Sequence, residues 1–263
     1  MNSILQKIVD HKITEIASAK ANVSLEEVTA AARDSAPALD FVGALRQRKS
    51  AGSIGLIAEV KKASPSKGVI RADFDPVAIA ETYARHGAAC ISVLTDEYFF
   101  QGHLDFLRRI RSAVQVPLLR KDFVLDTYQV LEARAAGADA VLLIAECLDR
   151  GKLKKLHQTI ESWGMTALVE LYDAANIEKV MACNPKLVGV NNRDLNTFEV
   201  DLQHSVRVKG QLPDSVTFVS ESGIFTNDDV VMLKENGVDA MLVGESLMRS
   251  DDIGAAVETL LGE

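Results

Sequence analysis

Several features that would place this chain in a specialised class of protein are missing from its 263 residues. The three cysteines, Cys90, Cys147 and Cys183, lie far apart and form no CxxC pair. Because Cys90 and Cys147 fall in apolar runs, we interpret them as small core side chains of a protein in the reducing cytoplasm. The five histidines show no metal-ligand spacing, so we expect no metal site.

Positive net charge and long apolar runs are lacking too. The formal net charge is −8, which argues against binding to nucleic acid, because phosphate backbones favour basic partners. No apolar run approaches the roughly 20 residues that span a bilayer. We therefore expect neither a nucleic-acid nor a membrane partner. The N-terminal segment has apolar residues at helical spacing, which predicts an amphipathic helix docked on the main body rather than a targeting signal.

From residue 54 onward, short runs rich in Val, Ile and Leu alternate with longer segments of helical character. The eight runs are 54–61, 90–95, 116–122, 140–146, 167–171, 187–192, 217–221 and 240–244. Such nearly continuous hydrophobicity is typical of parallel strands that are covered on both faces. Helices are predicted over 76–86, 126–136, 173–182 and 227–236. Glycines at 87, 137 and 237 have the position of helix-ending residues that lead into the next strand.

Eight β–α units in about 200 residues predict an α/β protein with a single (β/α)8 TIM barrel. A doubly wound sheet is the alternative, but it usually has fewer strands and a GxGxxG fingerprint after the first one. That fingerprint is absent from this sequence. We assign residues 51–263 to the catalytic barrel and residues 1–50 to an N-terminal helical extension packed on it.

Polar residues end most of these apolar runs, where barrels of this class carry their active sites. Glu59 and Lys61 are two residues apart, so both side chains point to the same face of the first strand. Later runs end at or near Lys121, Asp122, Glu146, Glu170, Asn191 and Glu221. Closely packed carboxylates and ammonium groups shift one another's pKa values toward proton transfer. One such charge can simply solvate a strand end, but this many together predict a catalytic cluster.

Glycines also follow the last two runs, in the segments Ser222-Gly223 and Gly244-Glu245. Loops after strands seven and eight of such barrels often bind phosphate through backbone N–H groups, and glycine lets the backbone approach closely. An ordinary turn explains either glycine alone. The pair, in these two loops, predicts a sugar-phosphate substrate.

The chain resembles the indole-3-glycerol phosphate synthase family over essentially its whole length. The motifs that carry the resemblance are IAEVKKASPSKG (57–68), LTDEYFFQG (94–102), LRKDF (119–123), AVLLI (140–144), VE (169–170), VNNRDL (190–195), SESGI (220–224) and VGESLM (243–248). The resemblance implies a carboxy-lyase of tryptophan biosynthesis that needs neither metal nor organic cofactor. Its substrate would be 1-(2-carboxyphenylamino)-1-deoxyribulose 5-phosphate, which undergoes ring closure, decarboxylation and dehydration to indole-3-glycerol phosphate.

The same resemblance implies catalytic roles for individual residues. Lys121 is expected to be the general acid on the ketose carbonyl, and Glu170 the acid/base partner for dehydration. Lys61 is expected to hold the anthranilate carboxylate and is a second candidate acid for dehydration. The remaining members of the polar network, which position the substrate hydroxyls and the lysines, are Glu59, Asn191 and Glu221.

Further residues are implied in substrate binding. Ser64 and Arg193 are expected near the substrate carboxylate and the strand-one loop, and Phe100 and Leu195 against the anthranilate ring. The phosphate is expected at Ser222, Gly223, Gly244 and Glu245, with help from Lys61. Only the backbone N–H of Glu245 can serve the phosphate, since its carboxylate would repel a dianion.

Three alternatives stay open. A phosphoribosylanthranilate isomerase would need a carboxylic acid paired with a thiol or carboxylate base, rather than lysines at the first and third strand ends. A class I aldolase would form a Schiff base on a buried lysine. A catalytically inactive sugar-phosphate-binding regulator would lack Lys61, Lys121 or Glu170, all of which are present. For the main hypothesis we expect a monomer.

Overall fold

Eight parallel strands close into a barrel in the computed structural model of this protein, which describes residues 3–194 and 197–262. The described residues contain ten strands, of which eight belong to the barrel. In chain order they are β1 (Gly55–Val60), β2 (Ala63–Ser64), β3 (Gly68–Val69), β4 (Cys90–Leu94), β5 (Leu118–Lys121), β6 (Ala140–Ile144), β7 (Thr166–Leu171), β8 (Leu187–Asn191), β9 (Thr217–Glu221) and β10 (Ala240–Val243). β2 and β3 form a small antiparallel hairpin outside the barrel. β1 pairs with both β4 and β10 and so closes the ring, which confirms the (β/α)8 prediction and excludes an open doubly wound sheet.

Helices cover the outside of the barrel and precede it. They are α1 (Ser3–Asn22), α2 (Leu25–Asp34), α3 (Phe41–Ser50), α4 (Pro76–Arg85), α5 (Leu104–Ala113), α6 (Thr127–Ala135), α7 (Arg150–Ser162), α8 (Ile177–Met181), α9 (Gln203–Lys209), α10 (Asn227–Glu235), α11 (Glu245–Arg249) and α12 (Ile253–Leu261). Gly87, Gly137 and Gly237 have φ angles of 98°, 86° and 78°. These left-handed conformations end the preceding helices, as the sequence predicts.

The fourth barrel strand is shorter than predicted. β6 ends at Ile144, and residues Ala145–Cys147 form a single 3-10 turn. The reason lies in the carboxylate of Glu146, whose Oε1 accepts hydrogen bonds from the backbone N–H of Tyr172 (2.9 Å) and Asp173 (3.1 Å) and from Asn176 Nδ2 (2.8 Å). Glu146 therefore secures the segment after β7 and is not a strand-end residue of the barrel mouth.

α3 closes the N-terminal end of the barrel. Phe41 and Leu45 are fully buried, and they pack with inward-facing residues of the strands such as Leu119 and Leu168. Burying side chains of this size contributes about 1.5–3 kcal/mol each. Because this end is filled, the opposite end is the one that can hold a site. Our division of the chain into an extension (1–50) and a barrel (51–263) remains a proposal.

α1 docks at the other end, beside β4 and β5. Leu5, Ile8 and other apolar residues of its inner face are buried. Lys12 Nζ lies 2.9 Å from Asp96 Oδ2 and 2.8 Å from Asp122 Oδ1, in the segments that follow these two strands. The amphipathic helix predicted from the sequence is thus held at the rim of the barrel mouth. Among the described residues, no helix has the length and apolarity to cross a membrane.

Candidate active site

Four strands bring charged side chains together at the C-terminal end of the barrel. Lys121 of β5 lies at the centre, with its Nζ 3.6 Å from Glu170 Oε2 and 3.9 Å from both Glu59 Oε1 and Glu221 Oε2. The three glutamates come from β1, β7 and β9 and are only 2–3% exposed. One ammonium group therefore faces three buried carboxyl groups, at the place where alternation along the strands predicts a cluster.

Lys61 and Asn191 extend this cluster on two sides. Lys61 Nζ lies 2.5 Å from Glu59 Oε2. Asn191 Nδ2 donates to Glu170 Oε1 at 3.3 Å, and its Oδ1 accepts from the backbone N–H of Arg193 at 3.0 Å. All six residues predicted to be catalytic are therefore connected in one network, although their individual roles remain predictions.

Burial and charge act on the pKa values of this cluster in opposite directions. Burial lowers the pKa of Lys121, but the charges of Glu170, Glu59 and Glu221 outweigh it and hold that pKa above its ordinary value. Burial raises the pKa of Glu59, but Lys61 and Lys121 more than offset it, so this pKa is lowered.

Glu221 behaves in the opposite way to Glu59. Burial, followed by repulsion from Glu170, holds the pKa of Glu221 well above its ordinary value. The surroundings therefore favour the charged form of Lys121 and the ionised form of Glu59, and they disfavour the ionised form of Glu221. Neighbouring groups whose pKa values are pushed apart can divide the tasks of acid and base.

Two glycines make room for these carboxyl groups. A Cβ atom at Gly189 would overlap Glu221 Oε1, and one at Gly244 would overlap Glu59 Oε2. Gly189 was not recognisable as a site residue, although a glycine inside an apolar strand often marks a close approach. Gly244, predicted for phosphate binding, has this second task.

Much of the lining of the cavity above the cluster is apolar. The apolar lining residues are Ile4, Leu5, Ile8, Pro65, Leu94, Phe100, Phe123, Leu142, Ile144, Phe198, Ile224, Phe225, Leu242 and Val243. The rings of Phe100 and Phe123 lie with centroids 6.1 Å apart. Phe100 was predicted, whereas the residues of α1 were not, because an amphipathic pattern shows that a helix has a buried face without showing what it covers. Leu195, the second residue predicted for ring packing, lies outside the described residues.

The cavity also has polar lining residues. Ser64 of the hairpin, Arg193, Ser222, Gly223, Gly244 and Glu245, which were predicted to bind substrate, are among them, and their binding roles stay predictions. The Glu245 carboxylate lies 3.4 Å from Arg193, 3.1 Å from Arg249 and 3.8 Å from Lys67, measured to their side-chain nitrogens. Three cations therefore surround this side chain, so its repulsion of an anion is partly neutralised. Among the described residues, no cluster of His, Cys, Asp and Glu is arranged to hold a metal ion.

Known proteins of one family match nearly the whole chain. The model of the family described as indole-3-glycerol phosphate synthase matches residues 5–260. A protein of that name from Rhodopirellula baltica is 53% identical over 259 residues, which cover 98% of this chain and 99% of the relative. Another, from Polaromonas naphthalenivorans, is 48% identical over 263 residues and covers 100% of both chains.

Solved structures that resemble the chain share its fold at low sequence identity. A thiamine phosphate pyrophosphorylase from Pyrococcus furiosus has a TM-score of 0.59 at 16% identity, over 79% of this chain and 93% of that one. A mandelate oxidase variant has a TM-score of 0.60 at 10% identity, over 87% of each chain. At such low identity, these similarities show only that the chain has the same barrel fold. The match to the family model and to full-length relatives shows more: this chain belongs to the indole-3-glycerol phosphate synthase family.

Proposed function

We propose that this protein catalyses the indole-3-glycerol phosphate synthase reaction on 1-(2-carboxyphenylamino)-1-deoxyribulose 5-phosphate. The observation that supports it best is the Lys121 ammonium, held 3.6–3.9 Å from three buried carboxyl groups under a cavity lined by both apolar and polar residues. The substrate has an aromatic ring at one end and a phosphate at the other. Among the lining residues, the rings of Phe100 and Phe123 suit the aromatic end, and the backbone of Ser222 and Gly223 suits the phosphate.

In the proposed ring closure, an aryl carbon attacks the ketose carbonyl carbon. The C–C bond forms while the carbonyl oxygen takes a proton from Lys121 Nζ. A lysine whose pKa is held above its ordinary value by neighbouring carboxylates remains charged at neutral pH. It gives up its proton only when the carbonyl oxygen acquires the basicity of an alkoxide, which matches the acid to the transition state.

Decarboxylation and dehydration complete the proposed sequence. The bond between the ring and the carboxylate breaks, CO2 leaves, and its electron pair restores the aromatic ring. The hydroxyl formed in ring closure then leaves as water after accepting a proton, while Glu170 accepts the proton that the substrate loses. Lys61 and Lys121 are both candidate acids for this last step. Both nitrogens lie within 4 Å of Glu59, at 2.5 and 3.9 Å, so either amine can regain its proton through the same network.

A Schiff-base aldolase is the weaker proposal for this site. That chemistry needs a neutral lysine amine as nucleophile, whereas the charges around Lys121 hold its pKa above its ordinary value. Borohydride reduction with substrate tests it directly, because a covalent adduct would form only with an imine.

The main test is a fluorescence assay for the indole product, run on the wild-type protein and on Lys121→Met. We expect turnover in the wild type and a loss of about a thousandfold or more in the variant, since the general acid is gone. Substrate binding by Lys121→Met should be largely retained. Absence of product with folded wild-type protein would refute the activity, and turnover by the variant would refute the role of Lys121.

We further propose that the protein works as a monomer in the cytoplasm. The six charged and amide residues of the cluster all come from a single chain, so no second subunit is needed to complete it. Light scattering during gel filtration should give a mass near 28.5 kDa. Twice that mass would contradict the monomer.

A further inference from the structure

The loop after β9 has an unusual backbone. Ser222 and Gly223 have φ angles of 70° and 80°, so two consecutive residues are left-handed. Gly223 adopts this conformation without cost, but a residue with a Cβ atom pays roughly 1–2 kcal/mol for it. Both residues line the cavity on the side proposed for the phosphate. Something must hold Ser222 in this conformation.

The group in contact with it is the side-chain amide of Asn192, which is only 1% exposed. Its Nδ2 donates one hydrogen bond to the backbone carbonyl of Ser222 (3.0 Å) and one to Ser220 Oγ (2.9 Å). Its Oδ1 accepts two hydrogen bonds from Ser205, from the backbone N–H (2.9 Å) and from Oγ (2.6 Å). The amide therefore uses both of its donors and both of its lone pairs.

The protons of this network can be assigned without ambiguity. Ser205 Oγ donates to Asn192 Oδ1, so in the 2.8 Å contact between Ser205 Oγ and Ser220 Oγ the hydrogen belongs to Ser220. The three side chains thus form a closed ring of hydrogen bonds with one direction. Exchanging the amide O and N would place two acceptors together at the Ser222 carbonyl and two donors at the Ser205 N–H. The orientation is therefore fixed by the backbone itself.

The bond to Ser222 sets the direction of the next N–H group. The described chain has no cis peptide bond, and in a trans peptide the C=O and the following N–H point in opposite directions. When Asn192 draws the Ser222 carbonyl away from the cavity, the Gly223 N–H is turned toward it. Backbone N–H groups in turns can form concave sites for anions.

We propose that Asn192 is a positioning residue of the phosphate site, which holds the Ser222–Gly223 peptide so that its N–H faces the substrate phosphate. The proposal rests on the proposed function, since it assigns a partner to that peptide. Asn192 does not line the cavity, and it acts only through Ser222. Its neighbour Asn191 contacts Glu170; the two adjacent amides therefore serve the phosphate end and the catalytic cluster separately.

The test compares Asn192→Asp with Ser205→Ala. Asn192→Asp keeps the shape and both acceptor positions but loses the donors to Ser222 and Ser220. Ser205→Ala opens the same buried ring and leaves the bond to Ser222, so it is the matched control for a purely structural effect. For each protein, KM and kcat are measured with the carboxyphenylamino deoxyribulose phosphate, and the dissociation constant of inorganic phosphate is measured by calorimetry.

We expect Asn192→Asp to raise KM and the phosphate dissociation constant about tenfold or more, because a hydrogen bond to a charged group is misdirected. kcat should change less than about threefold, since the bond is made equally in ground and transition states. Ser205→Ala should change phosphate binding less than about twofold. Equal effects of both variants, or a loss confined to kcat, would overturn the proposal.

Two further arms keep the outcome unambiguous. If Asn192→Asp does not fold, Asn192→Ser, which removes the same donors with a smaller side chain, replaces it and carries the same expectation. If the wild type binds phosphate but makes no indole product, the proposed function is wrong, while the phosphate measurements still decide the role of Asn192.

Discussion

The buried carboxyl groups at the two ends of the barrel differ in the hydrogen bonds that they accept. At the N-terminal end, Asp139 accepts from the backbone N–H of Leu39 and of Leu118, each at 2.7 Å, and Asp239 accepts from that of Phe218 at 2.7 Å. At the C-terminal end, Glu221 Oε1 is buried without a hydrogen-bond partner among the described residues, and Glu170 Oε2 has no hydrogen bond there beyond its 3.6 Å ion pair with Lys121.

This difference distinguishes carboxyl groups that stabilise the fold from carboxyl groups that serve activity. A buried carboxylate that accepts backbone hydrogen bonds joins elements of the fold, whereas a buried oxygen without a partner costs about 1–3 kcal/mol. The C-terminal end keeps that cost, and the cost is compatible with a site whose groups have to exchange protons with a substrate. We therefore expect mutations at the two ends to have opposite signatures, and the following experiments test that contrast.

The largest effect is expected for Glu170→Gln at the C-terminal end. Turnover should fall by about a hundredfold to ten-thousandfold, since the acid/base group is lost. Thermal stability should change little, because Gln has the same shape and keeps the Oε1 acceptor for Asn191, and because Glu59 and Glu221 still pair with Lys121 when the 3.6 Å contact to Glu170 is lost. Product formation and thermal unfolding followed by circular dichroism measure the two quantities.

Glu146→Gln is the matched control for this change. Its Oε1 accepts three hydrogen bonds that secure the segment after β7, and the residue does not line the cavity. We expect it to lose about 1 kcal/mol of stability and to keep its turnover. A stability loss in Glu170→Gln as large as in this control would contradict the contrast between the two kinds of carboxyl group.

At the N-terminal end, Leu45→Ala should lower the free energy of unfolding by about 2–5 kcal/mol. Leu45 is completely buried, and truncating its side chain leaves a cavity at this end of the barrel. kcat and KM of the folded fraction should stay within about twofold, because the layer containing Leu119 and Leu168 separates α3 from the cluster. Urea unfolding and steady-state kinetics measure both effects.

Leu39→Ala is the control for the Leu45→Ala truncation. Leu39 is 37% exposed, so its truncation should cost no more than about 0.5–1 kcal/mol. A kcat loss in Leu45→Ala that exceeds its loss of folded protein would show that the two ends are coupled. It would contradict the assignment of stability to one end and activity to the other.

The sequence was sufficient to predict features that depend on local pattern and strand direction. Eight apolar runs, with Glu59 and Lys61 two residues apart, predict a parallel barrel with its charges at one end. Features that depend on distant partners were not predictable. In the sequence, Glu146 lies at the end of an apolar run as Lys121 does, and only the N–H groups near Tyr172 show that it belongs to the scaffold. Asn192 likewise reads as a strand-end amide until Ser205 and Ser220 are seen around it.

Asp122 offers the most sensitive comparison, because it lies at the C-terminal end but is bonded like the aspartates of the other end. It contacts Lys12 (2.8 Å), Arg120 (3.2 Å) and the Thr95 hydroxyl (2.5 Å). Burial raises its pKa, but these partners more than offset burial and lower the pKa to about 2. Its ionised form is therefore favoured in the folded protein.

A lowered pKa gives a stability contribution that is present at neutral pH and is lost as the pH falls. The contribution should be complete above about pH 4, where the unfolded carboxyl ionises, and disappear as the pH approaches 2. Asp122→Asn should therefore be roughly 2 kcal/mol less stable than the wild type at pH 7, with the gap narrowing between pH 4 and pH 2. Asp214→Asn, at a fully exposed carboxylate, is the control for removal of one surface charge. Urea unfolding of the three proteins across this range measures the gap; a gap that stays constant with pH would mean that Asp122 stabilises the rim through its shape and not through its charge.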